Sequence, residues 1–233
     1  MRDLFALVRI HVPLHVHDPK SRVTTQILDR VWDHIVENHK NWYAEDVKPL
    51  YMTHRHLQED TSLIIDAKNP DALADFLMKH IATIEGVRGI WVINMAKMRF
   101  FRTPEEHRGD LSRFTVTIDA MPNQMDTIYE CISALRPGRD VSINYIAHTF
   151  QSFTASIVVS VLARSVNHLN AFVNDYIRPL DGVVDAETTY ISKTIRLASP
   201  KEWKECLDHY FVAPNGDTIK DIHVDNDKLI AGC

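Results

Sequence analysis

Glycine is scarce in this chain, with seven among 233 residues. A phosphate-cradling loop needs glycines close together so that backbone N–H groups can reach the anion, so no nucleotide loop is expected. Cysteine is scarcer still. Cys131, Cys206 and Cys233 lie far apart, and there is no Cys-x-x-Cys pair. An odd, dispersed set excludes a disulfide framework and reads as reduced thiols in a cytoplasmic protein. No apolar run approaches the ~18 residues of a membrane-spanning helix, so no membrane partner is expected. Met1-Arg2-Asp3-Leu4-Phe5 has an acid at once and no long apolar stretch, unlike a signal peptide. Runs of basic residues are missing too. The formal charge is −5 and Lys and Arg are scattered, which argues against a nucleic-acid surface. Nucleophile-elbow and metallohydrolase motifs are also missing, and no cofactor or metal is expected from the spacing of residues.

What the chain does have is a repeat. Val47, Tyr51, His54 and Ser62 recur 94 residues later as Val141, Tyr145, His148 and Ser156. Two extra residues then shift the offset to 96. Leu73, Phe76, Ile81, Gly86, Val87 and Lys97 fall on Leu169, Phe172, Ile177, Gly182, Val183 and Lys193. A repeat is read before any other fold signal.

Each copy has the same predicted elements. In the first, Phe5–Val12 is a β-rich strand, and His15-Val16-His17 falls in a loop. Asp18 or Ser21 can cap a helix whose first residue is Pro19 or Lys20, and helical spacing from Val23 carries it to about Glu37. Val47–His56 and Thr61–Ala67 form a hairpin around a polar turn. Asn69-Pro70 caps a helix that Gly86 closes, and Val87–Phe101 is a long last strand. Residues 103–110 are polar and read as a linker. The second copy repeats the order with a shorter first helix around Met125–Leu135. Ser199-Pro200-Lys201-Glu202 is a capping box that begins a further helix and tail. The expected architecture is α+β. It comprises two tandem ferredoxin-like βαββαβ units in a pseudo-dimer of the dimeric α/β-barrel kind, followed by a C-terminal helix and tail. The expected domains are 1–102, 111–198 and 199–233. Both faces of several strands are apolar, so the sheet faces left bare by the helices should be covered.

The run VKPLYMTHRHLQEDTSLIIDA, continued by LADFLMKHIATIEGVRGIWVINMAKM, resembles the effector-binding domain of the leucine-responsive regulator/AsnC family. So does LNAFVNDYIRPLDGVVDAETTYISKTI in the second copy. Hairpin, helix, Gly-Val and long strand come in the family's order. The resemblance implies a small-molecule effector, often an amino acid, bound between such domains. It also implies homo-oligomers and a protein partner that receives the signal. The first strand begins at Phe5, so a chain without a helix-turn-helix is expected, and with it no direct contact to nucleic acid. The hairpin turns Leu57–Asp60 and Gln151–Thr154 lack the family's glycine.

Candidate ligand-binding residues follow from the repeat. His54 and His148 occupy equivalent positions, each three residues after Tyr51 or Tyr145. His56 lies two further along on the face of His54, and Asp60 follows the turn, so the first hairpin alone keeps a polar pair beside its histidine. Arg9 is a cation in mid-strand that could meet a carboxylate ligand. Lys97 and Lys193 are read as marking the exposed ends of the last strands. No catalytic residue is assigned. The sequence thus favours an effector-binding regulatory protein without its own DNA reader. The alternative is a dimeric α/β-barrel enzyme using His and Tyr in an inter-sheet cavity, and the third reading is a purely structural protein.

Overall fold

The computed structural model describes residues 4–13, 15–18, 23–42, 46–55, 59–101, 111–150 and 155–199. The class is α+β, with antiparallel strands and, among the described residues, four α-helices. The C-terminal capping box after Ser199, the tail, the linker, His56 and both hairpin turn centres lie outside the described residues.

In chain order the first half comprises β1 (Leu4–His11), β2 (His15–Asp18), β3 (Val23–Gln26), α1 (Ile27–Asn38), β4 (Val47–Arg55), β5 (Asp60–Ala67), α2 (Pro70–Phe76) and β6 (Gly89–Phe100). The second comprises β7 (Ser112–Ala120), α3 (Met125–Ala134), β8 (Val141–Phe150), β9 (Ala155–Ala163), α4 (Val166–Phe172) and β10 (Val183–Arg196). The described residues divide into two compact units. One takes those in 4–95 and 191–199, the other those in 96–190. The last strand of each half is therefore divided, β6 after Met95 and β10 after Tyr190.

The sequence expectation fails in the stretch before α1. His15–Asp18 pairs antiparallel with Val23–Gln26 instead of forming a loop, and the helix starts at Ile27, well after the Pro19 or Lys20 that the sequence offers as its first residue. Val23-Thr24-Thr25 are β-branched and fit a strand better than a helix, although Val23 stands at helical spacing from Ile27.

In the first unit, β1 pairs with β6 on one side and β5 on the other, and β5 pairs with β4. The C-terminal end of β10 pairs with β4. One sheet face packs on the helices. Ala6, Val8, Ile10, Met52, Leu63 and Ile65 meet Val31, Ile35, Leu73 and Phe76 there, all buried. The side chains that alternate with these are buried as well, Phe5, Leu7, Ser62, Ile64 and Asp66 among them.

In the second unit, β9 pairs with β7 and β8. Val116, Ile118, Ile143, Ile146, Ile157 and Val159 pack on Ile128, Ile132, Leu169 and Phe172 of α3 and α4. Both α2 and α4 begin from capped N-termini, Asn69 accepting from Ala72 N–H and Ser165 from His168 N–H. Both run into one wider π-type turn. Gly86 and Gly182 follow those turns with φ of 100° and 86°, a conformation that favours glycine. A Cβ at Gly182 would lie 2.6 Å from Gln124 Cβ, so the residue also allows α3 to approach.

Candidate active site

The second unit gathers four polar or aromatic groups where α3 crosses the sheet. β8 contributes His148. A register shift between Ile143 and Tyr145 leaves Ile146 and His148 on the face toward the helices. α3 contributes Asp126 and Tyr129, three residues apart and so on one helix face. β6 contributes Lys97, whose φ of 47° makes it the one non-glycine residue with positive φ among those described.

The Lys97 ammonium bonds Asp126 Oδ1 at 2.5 Å. That bond holds the Asp126 carboxyl below the ordinary carboxylate range. The Tyr129 hydroxyl donates to the Lys97 carbonyl. Burial of Tyr129 pushes its phenol up to about 12, so it stays protonated. The His148 ring meets the Tyr129 ring edge-on, with centroids 4.8 Å apart at 88°. Its Nε2 is buried without a hydrogen-bond partner and lies 3.7 Å from Asp126 Oδ1, too far for a hydrogen bond. Burial lowers the His148 pKa, the Lys97 cation lowers it further, and Asp126 opposes both. The imidazole is therefore neutral at pH 7. Phe150, an exposed aromatic, has its ring centroid 6.2 Å from that of His148. A neutral imidazole whose buried Nε2 makes no hydrogen bond, with a carboxylate in electrostatic range, has the chemistry of a proton acceptor.

Of the other expected site residues, His54 and Asp60 meet in the first unit. Tyr145 and His148 are three apart on one strand and face opposite ways; Tyr145 packs on Phe100 at 5.6 Å, not on the helix side. Tyr51 and His54 are separated in the same manner. His54 Nδ1 donates to the Asp60 carbonyl at 2.9 Å. The Asp60 side chain is taken up by Arg55, which reaches it through Nε at 2.8 Å and through a second guanidinium nitrogen. Arg9 stands opposite Ser62 on β5 and Trp91 on β6. Among the described residues, no three His, Cys, Asp or Glu side chains gather as a metal site would require.

Asp126 and Tyr129 belong to no motif that marks them as site residues in the sequence. A signal exists, since Asp29 and Trp32 precede them by 97 residues with the same spacing, extending the repeat into the first helix.

No protein-family model matches the chain, and no curated protein matches it. Solved structures do. A candidate monooxygenase from Fusobacterium nucleatum subsp. nucleatum is 12% identical at a TM-score of 0.51, over 84% of this chain and 96% of that one. A candidate monooxygenase from Lactobacillus acidophilus is 12% identical at 0.49, over 84% and 94%. A variant chlorite dismutase from Candidatus Nitrospira defluvii is 12% identical at 0.48, over 89% and 94%. At such identity the likeness is one of fold. It nevertheless corrects the resemblance to leucine-responsive regulator/AsnC effector domains, and with it the reading as a transcription regulator that binds an amino-acid effector. The order hairpin, helix, Gly-Val, long strand is common to many proteins built from such units, and so did not discriminate. Among the described residues, no helix is long and apolar enough to cross a membrane.

Proposed function

We propose that this chain is an enzyme of the monooxygenase kind, built from tandem ferredoxin-like βαββαβ repeats, in which His148 takes a proton from an aromatic substrate. One observation carries the reading: the buried Nε2 of a neutral imidazole has no hydrogen-bond partner. Buried polar atoms are nearly always satisfied, and one left open beside a carboxylate and an exposed aromatic is a place for a ligand atom. The fold likeness to a candidate monooxygenase supports the class.

With its proton on Nδ1, His148 presents the Nε2 lone pair. A substrate C–H made acidic by flanking phenolic rings transfers its proton there, and Asp126 stabilises the imidazolium that forms. Phe150 offers a ring on which the substrate can stack. The carbanion then reduces dioxygen. The overall change R2CH2 + O2 → R2CO + H2O balances with dioxygen as oxidant and the substrate as sole electron source.

The test is oxygen uptake with dithranol, whose methylene lies between two phenolic rings, measured against the rate without protein. Uptake is expected to fall by about 10²–10⁴-fold in His148→Gln, the usual contribution of a positioned general base. A wild-type protein that adds nothing to the background rate overturns the proposal.

A further inference from the structure

The four positions around His148 recur in the first unit with different chemistry. Asp29 and Trp32 hold on α1 the places of Asp126 and Tyr129 on α3. Lys193 corresponds to Lys97, and His54 to His148. Lys193 and His54 face each other as Cα partners between β10 and β4, next to a register shift at Ile191. Here the ammonium is placed differently. Lys193 Nζ lies 4.6 Å from the centroid of the Trp32 ring and 3.6 Å from Asp29 Oδ1.

We propose, resting on the enzyme reading above, that each chain has one working site, at His148, and that the matching cluster in the first unit is a structural clamp fastening α1 to β10 through Lys193.

Three differences carry this. In the second unit the face and edge of the aromatic ring serve His148 and Arg99, whose guanidinium carbon is 5.4 Å from the Tyr129 centroid, while Lys97 is drawn to Asp126. In the first unit the cation itself covers the ring, the arrangement of a cation–π contact. Trp32, buried, has no hydroxyl with which to hold a strand carbonyl as Tyr129 does. His54, finally, is only half-buried and held through Nδ1 by the Asp60 carbonyl, whereas His148 is buried with an Nε2 that makes no hydrogen bond. The duplication thus left two copies of one contact between helix and last strand. One kept a stabilising role, and the other, with a tyrosine and a diverted lysine, left an imidazole nitrogen open.

The experiment compares wild type, His148→Gln, His54→Gln and Lys193→Met by oxygen uptake with dithranol and by thermal unfolding. Expected are loss of uptake in His148→Gln, an unchanged kcat in the other two, and a Tm lower by about 2–4 °C in Lys193→Met. A kcat halved in His54→Gln means two working sites and overturns this inference alone. Uptake unaffected in His148→Gln overturns the enzyme site and this inference together. If wild type shows no uptake the enzyme reading fails, and the Tm of Lys193→Met still decides the clamp, which an unchanged Tm overturns.

Discussion

The phenol of Tyr129 donates its hydrogen bond to the backbone carbonyl of Lys97, the residue that β6 holds at a φ of 47°. A left-handed conformation costs a side-chain-bearing residue ~1–2 kcal/mol, and persists where surrounding contacts fix it. Here one such contact comes from α3, and the same residue's ammonium returns to α3 at Asp126. The strand is thereby shaped by the helix that carries the site.

Tyr129→Phe should therefore lower stability by about 1–2 kcal/mol at neutral pH, the usual effect of removing one buried hydrogen bond. It should also change the alkaline limb. The folded phenol titrates near 12 and an unfolded one near 10, so the folded state holds the proton more tightly. Its contribution is full below pH 10 and is lost as pH rises toward 12. Denaturant unfolding between pH 9 and 12 should show a steeper decline in wild type than in Tyr129→Phe. Parallel curves would remove Tyr129 as the cause.

The rate should depend on His148 being neutral. Its pKa is lowered by burial and by Lys97, so kcat/KM is level above the ordinary histidine value and falls only at lower pH. Lys97→Met removes a cation that disfavours the imidazolium, and the acid limb should move to higher pH. Stability follows the same direction. The neutral imidazole is favoured by folding, so its contribution is present above about pH 6.5 and is lost as pH falls through the lower folded value. An acid limb that stays in place in Lys97→Met would show that Lys97 does not act on His148.

Phe150 is exposed beside His148 and has no group that could transfer a proton. Phe150→Ala should raise KM for an aromatic substrate by roughly tenfold and leave kcat nearly unchanged, since stacking is equally strong in ground and transition states. Steady-state kinetics in the two variables separate this from a loss in kcat, which would place Phe150 in the chemistry instead.

Asp60 is a stability residue on this account. Its carboxylate and the Arg55 guanidinium are largely buried, with side-chain exposures of 10% and 16%. Removing one partner leaves the other charge unpaired, and Asp60→Ala should destabilise by about 3 kcal/mol while turnover of the folded protein persists. Lost turnover at full stability, measured by denaturation alongside uptake, would return Asp60 to the site.

The repeat is legible by aligning the chain with itself, and the helix caps at Asn69 and Ser165, the closing glycines and the long last strands follow from local rules, because each depends on neighbours within a few residues. Two further facts were legible by the same rules. An interval of three on a strand separates Tyr145 from His148, and an interval of three on a helix unites Asp126 with Tyr129. Only tertiary structure could decide which faces meet. Lys97 is 29 residues from Asp126, and nothing in either local pattern brings them together. The burial that keeps His148 neutral comes from packing across α3 and β8, and pairing decides that the first unit's lysine covers a ring while the second's bonds a carboxylate. The sequence by itself determined two copies of the same residue positions. The long-range packing of strand against helix decided that they differ, because burial and charge at a residue depend on everything that surrounds it in space.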